Sequence, residues 1–416
     1  MNSKKLVATG LSALMASTML AGCSSSTTTS TATTGGEDEK ITTTITVWGP
    51  QEDQSEDNGN WLQTQCEKFA EEHPNWDITF EYGVCSEADA GSTVSQDAEA
   101  AADVYMFAND QIGTLIDANA ISERGGSTLE AIKANNSEAV VNSVTFDGGV
   151  YGVPFTGNTW YMFYDTRVFS EDDVKNMDTM FEKGTVAIAI DNGWYLGSFY
   201  AANGATFFGE DGQDEDAGIV LGDGATAVTD WLIDAVDSKK LVNDKDGSGL
   251  AGLADGTVNA IFTGSWDYQN VVDALGEENV GICALPTITI DGEEKQMMSF
   301  AGSKAIGVNP NTEYPEVAVA LAAYLGGTSS QQDHYDLRSV LPTDSNVDVA
   351  GDALAEAQSD TMDRTSILQP SFSGMGDWWT PAENMGASIL NKETTHSNSE
   401  KATADLEELV NKTAVE

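Results

Sequence analysis

Hydrophobic and polar positions along this chain follow two periods, and the period switches repeatedly between two and about 3.6 residues. Residues 41–49 (ITTTITVWG) alternate β-branched and apolar side chains and predict a strand. Leu62, Cys66 and Phe69 then recur at helical spacing, and His73-Pro74 ends that helix. Residues 76–84 (WDITFEYGV) predict a second strand and 102–108 (ADVYMFA) a third, with a polar, Ala-rich helical stretch between them. Strand–helix–strand alternation from the outset predicts right-handed crossovers and a largely parallel sheet.

The same alternation continues. Strands are predicted at 149–155, 185–190 and 258–262, with an amphipathic helix over 226–239 (TAVTDWLIDAVDSK). A strand pair at 280–285 and 287–290 follows, then a strand over 299–308. Val317, Leu321, Tyr324 and Leu325 mark another buried helical stripe. The last part of the chain carries weak strand signals and ends in a charged helix near 403–410. No internal repeat is visible. A chain of 416 residues is long for one core, so two lobes are expected.

The amino terminus has a different pattern. Lys4 and Lys5 precede an apolar run over 6–20 that ends in Leu20-Ala21-Gly22-Cys23. A charged start and a short apolar stretch form an export signal, too short for a spanning helix. Small residues directly before a cysteine resemble the lipobox of bacterial lipoproteins, which implies cleavage before Cys23 and a diacylglycerol thioether on its sulfur. The Ser/Thr/Gly run that follows cannot bury apolar surface and makes a flexible tether through residue 40. The remainder is then a soluble domain anchored by lipid to the extracellular face of the cell membrane.

Charge narrows the partners. The chain has 67 acidic residues against 19 basic ones, a formal net charge of −48. Cleavage removes Lys4 and Lys5 and no acid, so the mature chain is more acidic still. Nucleic acid is excluded as a partner, and anionic lipid is disfavoured. Only Arg124, Arg167, Arg338 and Arg364 supply forked guanidinium donors, which favours a neutral ligand over phosphate or a dicarboxylate. With Cys23 assigned to lipid, Cys66, Cys85 and Cys283 remain. A Cys66–Cys85 bridge and two free thiols are both open readings, while Cys283 reads as a small buried side chain. His73, His334 and His396 lie far apart, without metal-ligand spacing, and no cofactor is expected.

The order of these pieces resembles the extracellular solute-binding proteins of sugar ABC importers, in their maltose/maltodextrin-binding branch. ITVWGP opens the domain, and DVYMFANDQIGTLIDANAI takes the place of an Asp-aromatic run followed by a helix. GVYGVPFTGNTWYMFYDTRVF resembles the segment that crosses between lobes, and GTVNAIFTGSWDYQNV a strand, Gly, Trp element. VGICALPTI, FAGSKAIGVNP and PEVAVALAAYLGGTSSQ follow as the next strand and Leu-Pro turn, the return strand and its helix. The resemblance covers most of 41–390. It implies an α/β, two-lobed periplasmic-binding-protein fold (type II-like), each lobe a mainly parallel sheet flanked by helices. The lobes would be 41–156 plus 304–330 and 157–303 plus 331–416. It further implies a monomer that closes by hinge bending around a sugar and delivers it to ABC permease subunits.

Sugars present apolar C–H faces ringed by hydroxyls, so their clefts need aromatic platforms and fixed acceptors and donors. By position in the resemblance, the ligand-binding candidates begin with Trp48 after the first strand and with Phe107, Asn109, Asp110 and Gln111. Gln111 stands where relatives place an arginine, and Asn158 where they place an acid. In the second lobe the candidates are Trp194 and Tyr195 at a helix start, Trp266 after a Gly-Ser turn, and Trp379 with adjacent Trp378. Glu52 and Asp53, in the loop after the first strand, add carboxylate acceptors. The ligand implied is a neutral oligosaccharide, with malto-oligosaccharides first.

Rival readings leave weaker traces. No Gly-x-Ser-x-Gly elbow, Walker loop or His-Glu-x-x-His is present, and carboxylate pairs in so acidic a chain carry little information, so no catalytic residue is assigned. Asp244-Lys245-Asp246-Gly247-Ser248-Gly249 with Asp255 mimics a calcium loop but lacks its last Glu, and a solvated turn is expected there. A surface lectin that retains glycan without importing it shares the same aromatic cleft.

Overall fold

The computed structural model describes residues 40–411. The export signal at 1–22, the lipidation site Cys23 and the tether up to residue 39 lie outside the described residues.

Two hydrophobic cores organise the fold. In the first, the strand Ile41–Gly49 runs parallel to Trp76–Val84 on one side and to Val104–Ala108 on the other. Ile45 and Val47 point inward from it, and the helix Trp61–Glu72 covers them with Trp61, Leu62, Cys66 and Phe69. Val104–Ala108 is buried along its whole length, as a central strand covered on both faces must be. The second sheet has the strand order Leu241–Asn243, Val186–Ile188, Ala260–Thr263, Tyr161–Asp165, Val280–Cys283. Its first two pairings are parallel and its last two antiparallel.

The chain crosses between the cores three times. Val153–Asn158 leads from the first core into Tyr161–Asp165 of the second. The long strand Ser299–Val308 returns, with Phe300 in the second core and Ala305, Ile306 and Val308 in the first. The two strands pair antiparallel, so both crossings share one ladder. The third crossing follows the helix Thr328–Arg338 and runs through Ser339, which is left-handed at φ 54°, to Leu341 in the second core. The division expected at residue 331 therefore cuts a helix that docks on the first lobe. Trp61 Nε1 donates to Ser330 O at 3.0 Å, and Gln65 Nε2 to Asp333 Oδ2 at 2.8 Å.

Several elements depart from the periodic pattern. The strand expected at 149–155 breaks at Gly152, whose φ of 84° and lack of a Cβ let the Phe107 ring close against it. The strands at 280–290 do not pair with each other. Val280–Cys283 joins the second sheet, and Thr287–Ile290 forms a hairpin with Glu293–Gln296. The chain's last part is helical, with Ala353–Arg364, Gly376–Leu390 and Ser399–Val410, and one short strand, Ser366–Leu368. Gly376–Leu390 contains Pro381, yet Trp378, Ala382, Met385 and Ile389 form a buried stripe that overrides this punctuation.

Cys66 and Cys85 are free thiols, both buried, and Cys283 is free and half-buried. The calcium-like loop uses its carboxylates internally. Asp244 Oδ1 accepts from Gly249 N at 2.7 Å, and Asp255 Oδ1 from Thr257 N at 2.9 Å. No cluster of metal-ligating side chains occurs among the described residues.

Candidate functional site

A cleft of about 470 Å³ opens between the two cores. Glu52, Asp110 and Gln111 line it from the first lobe, and Trp194, Trp266 and Trp379 from the second. Asn158 and Lys304 reach it from the crossing strands.

Local structure aims each indole. Asn192 caps the helix Gly193–Ala202, its Oδ1 accepting from Trp194 N at 2.9 Å, which places Trp194 in the first turn beside the cleft. The Trp194 ring stacks on Trp266 with centroids 6.1 Å apart and planes 28° from parallel. Trp266 folds back over Gly264, where a Cβ would lie 2.0 Å from its ring, and stays 37 % exposed. Trp379, on Gly376–Leu390, meets Phe300 edge-to-face at 6.0 Å. Three indoles of one lobe thus form an apolar platform at the cleft.

The first lobe answers with polar groups. Burial pushes the Asp110 carboxyl up to about 6, against the pull of hydrogen bonds from its own backbone and from Gln369. Lys304 Nζ lies 3.2 Å from Glu87 Oε1, and Arg338 donates to Asp53. Both cations lining the cleft therefore have a carboxylate partner, which keeps the site suited to a neutral ligand.

The remaining candidates, Gln111 apart, do not line the cleft. Asp53 is fully buried, where burial alone would raise its carboxyl, but the His334 ring nitrogen 2.8 Å away and the Arg338 guanidinium hold it near 2. Phe107 is fully buried in the first core. Asn109 is spent on structure, Nδ2 donating to Gln369 O at 3.2 Å and Oδ1 accepting from Ser303 N at 3.2 Å. Trp48 packs over Gly83 of the neighbouring strand. Tyr195 turns inward onto Trp160, with ring centroids 4.9 Å apart. Trp378 is fully buried with Nε1 on Gly193 O at 3.0 Å, since consecutive helical positions face about 100° apart. Gln111 reaches the cleft, but its amide is committed: Nε2 donates to Glu87 O and Ala88 O, and Oε1 accepts from Gly91 N.

Sequence reasoning missed Asn192, Lys304, Arg338, Gln369 and Glu383, which also line the cleft. Asn192 carried a signal as a capping residue before Gly-Trp-Tyr. Lys304 did too, as the charge inside an otherwise apolar strand. Arg338 carried none, because its place depends on how distant helices dock.

Comparison with known proteins agrees with this architecture. The family model for bacterial extracellular solute-binding proteins matches residues 64–361. A solved structure with acarbose is 49 % identical to this chain, with a TM-score of 0.86 over 89 % of this chain and 99 % of that one. The maltooligosaccharide ABC transporter solute-binding lipoprotein of Streptococcus pneumoniae is 26 % identical over 313 residues, 68 % of this chain and 70 % of that protein. The galactooligosaccharide-binding protein of Bacillus subtilis is 24 % identical over 304 residues, again 68 % of this chain and 70 % of its own length. With two α/β cores, three crossings and a cleft between them, the chain belongs to the bacterial extracellular solute-binding protein family.

Proposed function

We propose that this protein captures a neutral oligosaccharide, first of all a malto-oligosaccharide, and delivers it unchanged to an ABC permease. The observation that carries this reading is the indole platform of Trp194, Trp266 and Trp379 facing Glu52 and Asp110 across one cleft. Stacking on indoles accounts for the apolar faces of a sugar, and the carboxylates accept from its hydroxyls. A volume of about 470 Å³ is in the range of small-molecule sites. The acarbose-bound structure and the maltooligosaccharide-binding lipoprotein support the same ligand class. The protein would act as a monomer held at the outer membrane face by lipid on Cys23, closing its lobes by bending at the three crossings.

The galactooligosaccharide-binding relative favours a second reading, in which the same platform takes a different neutral oligosaccharide. Calorimetric titration with maltotriose and with a galacto-oligosaccharide separates the two. Tighter binding of maltotriose supports the first, tighter binding of the galactoside the second, and no heat with either overturns both.

A further inference from the structure

Among the groups lining the cleft, the cation nearest a buried anchor is Arg338. It ends the helix Thr328–Arg338, and its Nη1 donates to Oδ1 of the fully buried Asp53. His334 lies one turn earlier on the same helix face and places Nε2 2.8 Å from that same oxygen. Among the described residues only Nη1 of the guanidinium has a carboxylate partner, while the side chain keeps 15 % exposure and lines the cleft. Two other donors at the cleft already have partners: the Gln111 amide donates to backbone carbonyls, and Lys304 lies against Glu87.

As a device for stability this cluster is poor. Asp53 Oδ2 and His334 Nδ1 are buried without any partner, and a partly satisfied buried network is weak evidence for a stabilising role. As a device for position it is effective. Asp53 belongs to the turn Glu52–Gln54, so its bond to Arg338 fixes Glu52 and Arg338 relative to each other, and both line the cleft. That pairs a carboxylate acceptor with a planar donor fork whose charge is already neutralised, an arrangement suited to vicinal sugar hydroxyls.

We infer that Arg338 is a ligand-contacting donor of this cleft and that buried Asp53 and His334 act through it as positioning residues. This inference rests on the oligosaccharide reading above. Its test is calorimetry of the purified protein and its variants with maltotriose, a set of monodeoxy maltotrioses and a galacto-oligosaccharide. Arg338→Lys keeps a cation beside Asp53 but loses the fork, and is expected to bind the wild type's preferred sugar roughly tenfold or more weakly. One deoxy analogue (or, for a galactoside, its corresponding analogue) should lose affinity for wild type and show no further loss with Arg338→Lys. A merely structural arginine would not produce that coupling. The double variant Asp53→Asn/Arg338→Gln removes both charges, and unliganded thermal unfolding separates folding from binding. Wild-type affinity retained in Arg338→Lys and in the folded double variant overturns this inference alone. Wild-type protein that binds neither sugar overturns the oligosaccharide reading and this inference together.

Discussion

The indole Nε1 of Trp194 donates to the side-chain oxygen of Gln369 at 3.0 Å, and the backbone carbonyl of Gln369 accepts from buried Asn109 of the opposite lobe at 3.2 Å. One residue therefore ties an aromatic platform of the second lobe to a strand end of the first. Replacement by leucine leaves the indole N–H without its acceptor and frees the ring to turn. Gln369→Leu should weaken oligosaccharide binding by about 0.5–1.5 kcal/mol, the usual worth of such a bond. Unliganded stability should fall as well, because the buried Gln369 side chain also hydrogen-bonds Asp110. Titration beside thermal unfolding reads both quantities.

The two adjacent tryptophans make a sharper contrast. Trp266→Ala and Trp379→Ala should each cost about 1–3 kcal/mol of binding, as for an aromatic anchor in a contact surface. Trp378→Ala should instead destabilise the fold by about 3–5 kcal/mol, because its ring fills the second core and its N–H holds Gly193 O. Unchanged affinity in both Trp266→Ala and Trp379→Ala would remove these indoles from the site.

Asp110 makes binding depend on pH. Its carboxyl is pushed up to about 6 by burial, above its unfolded value. Such a group stabilises the fold fully below the unfolded value and loses that contribution as pH rises through about 6. Ionised, it is the stronger acceptor for sugar hydroxyls. Affinity should therefore rise as pH approaches about 6, while unliganded stability falls between the unfolded value and about 6. Asp110→Asn should flatten both trends, and a wild-type affinity indifferent to pH there would contradict the assignment.

Gly386 faces the carbonyl of Ile190 so closely that a Cβ would sit 1.8 Å from its oxygen. Alanine ordinarily favours a helix over glycine by up to about 1 kcal/mol. Here it would force Gly376–Leu390 away from the second core, and overpacking of this kind costs about 1–3 kcal/mol or more. Gly386→Ala should lower the denaturation midpoint; an unchanged or raised midpoint would mean the helix shifts freely.

Much of the scaffold is legible in the sequence because its strands carry strong local periodicity. Ile41–Gly49 and Trp76–Val84 alternate cleanly, and Ser299–Val308 reads as one long apolar strand. Trp194 and Trp266 were readable as cleft residues because a capped helix start and a Gly-Ser turn leave aromatic side chains little core to enter. The misreadings share one cause. Whether Trp378 or Trp379 turns inward is a matter of helix rotation, which the neighbouring core decides. Asp53 and Arg338 are 285 positions apart, so no local pattern could show that one buries its charge to hold the other at the cleft. The helix Gly376–Leu390 went unread among weak strand signals because burial of its stripe is a tertiary effect.

The most direct measurement is isothermal titration of the purified protein with maltotriose, with tryptophan fluorescence followed in parallel. Micromolar binding accompanied by a spectral shift is expected, since Trp194, Trp266 and Trp379 all line the cleft. Absence of heat and of any fluorescence change with maltotriose would contradict the assignment of malto-oligosaccharide as the ligand.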